Sequence, residues 1–513
     1  MATVALKSAE GKWIMVSAIL ASAMAFIDST ALNVVLPALQ KSLHATGADL
    51  FWLLNAYLLM LASLILVGGS LGDKLGRKKI FMLGIFVFIL GSAACGLAPT
   101  VFLLIVFRII QGIGGALMIP GSLSLISSSI NENERGKAIG TWSAVTVLVT
   151  MGGPILGGTL ADAGLWRYIF FINVPIGVVA LIILAFKVKE SRDEGADKAV
   201  DIAGAASIAL SLALLTFGFL RIPALGFKSP QVYLTLFGGI ILLIVFLVIE
   251  KRSKRPMMPL YLFSNPVFTG VNLLTFFLYA GLGSGMLFLS LNLVQVQGYS
   301  QFQSGLTFLP FTVLMITIAR FAGTLADKYG PRLLLIIGPA TAGAGLFILS
   351  LIKQTAGPAE YWTTFFPGVI VFGLGMSFTV APLTATIMMS VSDHLSGTAS
   401  GVNNALTRIA NVFANAIFGA LAILLFTEAL QNNIQSIPLD PTVKQAIIKE
   451  AADLGNAKSP NEVDSKYRNI INAYYKKSFI HAYSVIMKIS AGLGFLGALM
   501  TVIFIHSKTL KKE

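Results

Sequence analysis

Apolar residues run along this chain in blocks longer than a soluble helix needs. The blocks fall near 13–36, 51–72, 80–98, 101–126, 138–161, 168–186, 202–221, 231–249, 267–293, 303–326, 333–352, 364–390, 398–427 and 480–506. Crossing the hydrocarbon core of a bilayer takes about 20 such residues, so the pattern predicts fourteen membrane-spanning helices. The first block starts like a secretory leader, with Lys7 and Lys12 ahead of it and Ala21-Ser22-Ala23 as a small-residue site. It continues to Leu36, however, beyond the roughly 7–15 residues of a leader's apolar core, and reads as a retained helix. Between the last two blocks, segment 428–479 is more polar. Its helical-period patches, Val443, Ile447, Ala451 and then Tyr467, Ile470, Ile471, Tyr474, predict two short amphipathic helices in a solvated cap.

Composition sharpens this picture. Apolar residues make up 56% of the 513 and charged residues only 12%, about half the roughly 25% of a soluble domain; a water-soluble enzyme is excluded. The net charge of +14 sits in short clusters between blocks, which reads as topology rather than nucleic-acid binding. One alternate set of loops holds 21 Lys and Arg, including Lys74–Lys79, Lys187–Lys198 and Lys251–Arg255. The opposite short loops hold five: Lys41, Arg167, Arg221, Lys228 and Lys353. Cations mark cytoplasmic loops, so both termini are expected in the cytoplasm and the chain in a cytoplasmic (inner) membrane. Cys95 is the single cysteine, and His44, His394, His481 and His506 are scattered; no disulfide or metal site is expected. No phosphate-cradling loop is present, so ATP is not the expected energy source.

The chain also repeats itself. Gly69-Ser-Leu-Gly-Asp73-Lys-Leu-Gly76-Arg77-Lys78-Lys79 recurs as Gly323-Thr-Leu-Ala-Asp327-Lys-Tyr-Gly330-Pro331-Arg332. Gly112, Gly114, Gly136, Gly140 and Gly158 match Gly373, Gly375, Gly397, Gly401 and Gly419 in the same order. This predicts two homologous six-helix halves with spans 7 and 8 inserted: 1–190, an inserted pair 191–256, and 257–513. Such repeats place a substrate site near the midplane between halves that rock against each other. A transporter is expected.

Five motifs resemble those of the major facilitator superfamily, in particular its 14-span drug:proton antiporters of the EmrB/QacA type. They are Gly69–Lys79; Arg108-Ile-Ile-Gln111-Gly112-Ile-Gly114; the antiporter-type Gly152-Gly153-Pro154-Ile-Leu-Gly157-Gly158; Phe26-Ile-Asp28-Ser-Thr30-Ala-Leu-Asn33; and Trp166–Pro175. The resemblance implies the major facilitator fold and proton-driven export of amphipathic toxic compounds by alternating access, with no cofactor. It also implies a conformational gate of Gly69, Asp73, Gly76, Arg77 and Asp327. Asp73 would dock on the start of span 13, Ser396–Ser400, when one side shuts. Glycines four apart, such as Gly153 and Gly157, share a helix face and allow close helix approach, while Pro154 can bend the helix.

Charges inside spans narrow the chemistry. Asp28, Arg108, Arg320, Arg408 and Lys488 fall there, and a midplane charge costs at least about 2.5–3.5 kcal/mol. Arg320 can snorkel, and Lys488 lies toward a span end. Asp28 and Arg108 have no charged counterparts in the second half, where Leu282 and Val369 occupy the offset positions; symmetry demands neither. They are the candidates for proton coupling, as a pair whose approach and separation would load and release a proton. The expected substrate cavity comprises Asn33, Trp52, Tyr57, Gln111, Met118, Trp142, Phe276, Asn404, Arg408 and Asn411. The second half has no midplane acid. A dedicated exporter of an anionic, zwitterionic or lipid-like metabolite is therefore the alternative. Partners are expected to be small amphipaths, protons and the lipid bilayer, with no nucleic acid and a monomeric chain.

Overall fold

The computed structural model describes residues 4–191, 201–253, 256–391, 395–435 and 437–505. His394 and His506 lie outside these residues, and so do the side chains of Asp73, Arg320, Asp327 and Ser396. The helices are α1 (Ala9–Leu43), α2 (Gly47–Leu75), α3 (Arg77–Leu97), α4 (Val101–Ser129), α5 (Glu132–Asp162), α6 (Tyr168–Phe171), α7 (Asn173–Lys187), α8 (Ile202–Leu225) and α9 (Pro230–Arg252). They continue with α10 (Pro266–Gln295), α11 (Gln301–Leu306), α12 (Leu309–Tyr329), α13 (Arg332–Ser350), α14 (Phe365–Met389), α15 (Ser396–Ile434), α16 (Pro441–Lys449) and α17 (Ser465–Phe504). Among the described residues, thirteen segments are long and apolar enough to cross a membrane. The chain is an all-α membrane protein.

Local chemistry sets the helix ends. Thr46 and Asp49 form a capping box at the start of α2, satisfying two backbone donors at once. Gly76 turns the chain between α2 and α3 with φ of 115°, a region that disfavours any side chain. The first turn of α3 is then closed by an acid far away in sequence: Glu190 accepts from the backbone N–H groups of Lys78 (3.0 Å) and Lys79 (3.1 Å).

Glycines at matched positions of the sequence repeat pack alike. Gly112 of α4 lies against Tyr57 and Met60 of α2, and its counterpart Gly373 of α14 lies against Phe311 and Leu314 of α12. Gly114 meets the Phe88 backbone of α3, and Gly375 meets the Ala342 backbone of α13. A side chain at any of the four would push neighbouring helices apart. The inserted pair sits beside this scaffold. Ile208 and Leu212 of α8 share an apolar cluster with Leu59 and Ala62 of α2 and Val412 of α15, whereas α9 turns Phe237, Ile240, Ile244 and Val248 outward.

Segment 428–479 differs from the two short helices read in the sequence. Its first patch forms α16 and a 3-10 turn, Glu450–Asn456. The second patch is the opening of α17 itself, which is 40 residues long, capped by Asp464, and free of Gly or Pro until Gly492. Nor is the cap merely solvated. Leu454 rests on Gly47, Gln40 donates to the Asp453 carbonyl (3.1 Å), and Asn456 donates to Gln40 (2.8 Å). We call this the cap end of the molecule and the Gly76 side the opposite end.

Candidate functional site

Asp28 and Arg108 meet. They come from α1 and α4, and both are buried, with 0% and 1% of their surface exposed. One guanidinium nitrogen of Arg108, Nη1, donates to Asp28 Oδ2 at 2.5 Å and to Gln111 Oε1 at 2.8 Å. Gln111 Nε2 donates to the other carboxylate oxygen, Asp28 Oδ1, at 2.9 Å. The three side chains thus close a ring of hydrogen bonds. Arg108 and Gln111 can share it because residues three apart lie on one face of a helix. The Tyr57 ring lies 4.4 Å from the guanidinium carbon and supports the cation through its π face. Cys95 Sγ approaches Gln111 Oε1 at 3.8 Å. A desolvated ion pair is offset only when its geometry and hydrogen bonding are good, and this one meets that condition.

Arg408 presents the opposite case. It lies on α15 with Asn404 and Asn411, is partly exposed, and lies within electrostatic reach of Tyr57 and Tyr279. The described ion pairs are Arg108–Asp28 and Lys189–Glu10, and neither involves Arg408. Its Nε and the Tyr57 hydroxyl are buried without a hydrogen-bond partner.

The other expected cavity residues divide. Asn404 is exposed; Asn411 donates to the Thr407 carbonyl at 3.0 Å, with its oxygen against Gly283. Trp142 Nε1 donates to Ser22 on α1 at 2.9 Å, and Phe276 is half-buried on α10. The Asn33 carbonyl accepts from Ser290 at 3.3 Å. Two expectations are corrected. Trp52 packs on Phe217 of α8, with ring centroids 6.1 Å apart, and so faces the inserted pair. Met118 is fully buried in the first-half core with Phe81, Ile85 and Phe88. Both helices are apolar on several faces, so residue type did not reveal direction.

The antiporter-type motif lies between helices. Gly153 and Gly157 fit against Thr30 and Ala31 of α1, while Gly158 lies against Gln301 and Phe302 of α11, and Gly305 lies against the Pro154 carbonyl. Just beyond the motif, Asp162 accepts from the backbone N–H groups of Gln301 (2.8 Å) and Phe302 (2.9 Å). Gly419 of α15 meets Phe51 at the start of α2 in the mirrored position. Gln295 donates to Gln40 at 2.9 Å. Among the described residues, the side-chain hydrogen bonds joining 4–191 to 256–505 all lie at the cap end.

The gate residues lie at the opposite end. Gly69 faces Pro120 of α4, and Arg77 binds Ser191 through its backbone N–H (2.7 Å) and its Nη1 (3.4 Å). The docking expected of Asp73 on Ser396–Ser400, and the role of Asp327, fall on side chains outside the description. Sequence reasoning missed Glu190, Asp162 and Gln40. Asp162 carried a signal, an acid one turn after Gly158 where the apolar block ends.

The family model described as Major Facilitator Superfamily matches residues 18–415. The chain is 29% identical over 478 residues to the "Tetracenomycin C resistance and export protein" of Streptomyces glaucescens, covering 93% of this chain and 88% of that protein. It is 31% identical over 423 residues to the "Methylenomycin A resistance protein" of Bacillus subtilis (strain 168), covering 82% and 89%. Among solved structures, a bacterial homolog of the human lysosomal transporter Spinster superposes with a TM-score of 0.67 at 17% identity, covering 97% and 98% of the two chains. A D-xylose-proton symporter superposes at 0.59 with 16% identity, covering 98% and 99%.

Proposed function

We propose that this chain, which belongs to the major facilitator superfamily, is a proton-coupled antiporter that exports drug-like amphipaths across the cytoplasmic membrane. The ring of Asp28, Arg108 and Gln111 carries this reading. A carboxylate sealed from solvent on both sides of its charge can exchange a proton only when the surrounding helices move, and that ties protonation to conformation. When Asp28 is ionised, Arg108 is held by it. When Asp28 takes a proton, the ion pair is lost, and Arg108 relies on its hydrogen bond to Gln111 and on the Tyr57 ring. The two charge states thus favour different spacings of α1, α2 and α4.

The cap end is the outward face in this reading, closed by the α5–α11 and Gln40–Gln295 contacts, and the opposite end opens to the cytoplasm, where both termini lie. The 1–190 and 257–513 halves rock about these contacts as a monomer, flanked by the 191–256 pair, and no cofactor takes part. The resistance and export named for the tetracenomycin relative, and the resistance named for the methylenomycin relative, support drug-like cargo. The test is accumulation of a panel of neutral, anionic and cationic aromatic amphipaths by inverted vesicles under an imposed proton gradient. Uptake that collapses when a protonophore dissipates the gradient supports the reading. Uptake indifferent to the gradient overturns it.

A further inference from the structure

We infer that Arg408 anchors an acidic group on the exported compound, so that the preferred cargo is an aromatic amphipath bearing a carboxylate or a comparably acidic oxygen. This rests on the export reading above and names its substrate class. Four observations converge. Arg408 sits within a membrane-spanning helix, yet neither of the described ion pairs uses it. A cation held in such a place needs a partner or a task. Its Nε is buried without a hydrogen-bond partner, a donor left for a ligand that accepts hydrogen bonds. The midplane acid, Asp28, is held by Arg108 and Gln111, and neither described ion pair joins it to Arg408.

Access supports the same conclusion. Asn404, Arg408 and Asn411 are four and three residues apart, on one helical face. Asn404 is exposed and Arg408 partly so, whereas the adjacent Asn403 turns away to Asn272 (3.0 Å) and Thr275 (2.8 Å) on α10. An anion arriving along this stripe meets amides first and the guanidinium next, and a planar guanidinium suits a carboxylate. Among the described residues, no carboxylate pairs with Arg408 that could receive a cationic compound in the same place. Proton and cargo then use different residues and need not compete for one carboxylate. They communicate through Tyr57, whose ring supports Arg108 and whose hydroxyl is within electrostatic reach of Arg408.

The test compares three probes in inverted vesicles holding the full chain: 9-anthracenecarboxylate, its primary amide 9-anthracenecarboxamide, and ethidium. The native protein is expected to accumulate the carboxylate at least about tenfold faster than the amide. Arg408→Gln should bring that ratio to about one, and Arg408→Lys should restore part of it. Native protein that moves amide or ethidium as fast as the carboxylate overturns this inference and leaves drug export standing. Because that comparison needs no variant, a misfolded Arg408→Gln protein would not shield the proposal. If no probe is accumulated under any gradient, the export reading fails and this inference fails with it.

Discussion

Residues 4–191 and 256–505 make matching glycine contacts and differ in how they hold the cations inside their spans. Gly112 and Gly373, like Gly114 and Gly375, make equivalent helix contacts. Where the first half places Arg108 it also supplies Asp28 and Gln111, and the cation is fully neutralised. In the second half, Arg408 has two aromatic hydroxyls within reach and no described carboxylate. A repeated fold can therefore hold one self-satisfied charge ring and one cation left for something else. The first is suited to storing a proton, the second to meeting cargo.

The comparison is sharpest under substitution. Arg108→Leu strips the partner from a buried carboxylate and should destabilise the protein by about 3–5 kcal/mol, read as thermal unfolding of the detergent-solubilised chain. The double change Asp28→Asn with Arg108→Gln removes both charges and should recover most of that loss. Arg408→Gln breaks no ion pair, so its unfolding midpoint should stay close to native, within the effect of about 0.5 kcal/mol typical away from such networks. Equal destabilisation by Arg108→Leu and Arg408→Gln would erase the distinction between the centres.

Next in size is the closed cap end. A β-carbon at Gly158 would meet the Gln301 backbone, so Gly158→Val should keep α5 and α11 apart and cut turnover about tenfold. Asp162→Asn, which keeps the shape but weakens two charge-assisted bonds, should cut it less, about threefold. Labelling of a cysteine placed at Ser290, in a Cys95→Ser background, should rise in both. Unchanged labelling would mean that these contacts do not hold the cap end shut.

The smallest effect concerns pH at the cap. Burial holds the Asp453 carboxyl above its ordinary range, opposed by His44, and burial with neighbouring Asp453 does the same for Glu450, against Lys449 and beside Glu462. A raised folded-state value means that the docked cap binds protons more tightly than the released one. Its docking should therefore weaken as pH climbs from the ordinary carboxylate range through the raised values. The protection of the Leu454 and Gly455 amides, the intrinsic exchange rate at each pH over the observed one, should fall from pH 4 upward, with Asp453→Asn flattening the change.

Much of this was legible in the chain. Apolar blocks gave the helices because bilayer thickness fixes their length, and the cost of a midplane charge singled out Asp28 and Arg108 before any contact was known. Gln111 was expected in the cavity but closes the charge ring instead, because it sits one helical turn from Arg108. Glu190, Asp162 and Gln40 stayed hidden because their partners lie more than 100 residues away and depend on how the helices pack. Trp52 and Met118 were misdirected for a related reason: an all-apolar helix carries no polar face to tell which side is inward. The short helix expected at Tyr467–Tyr474 merged into α17 because no glycine or proline separated it from the last span.

The central claim is that Asp28 carries the coupling proton, and one pair of assays on one variant tests it. Asp28→Asn keeps the side chain's shape and cannot carry a proton, and with Arg108→Gln beside it no buried cation is stranded. Proteoliposomes of this double variant should show gradient-driven accumulation lowered at least about a hundredfold. Exchange of labelled for unlabelled substrate at zero gradient, which needs binding and rocking but no proton, should persist near the native rate. Gradient-driven accumulation that survives in the double variant would contradict the account and move coupling away from Asp28.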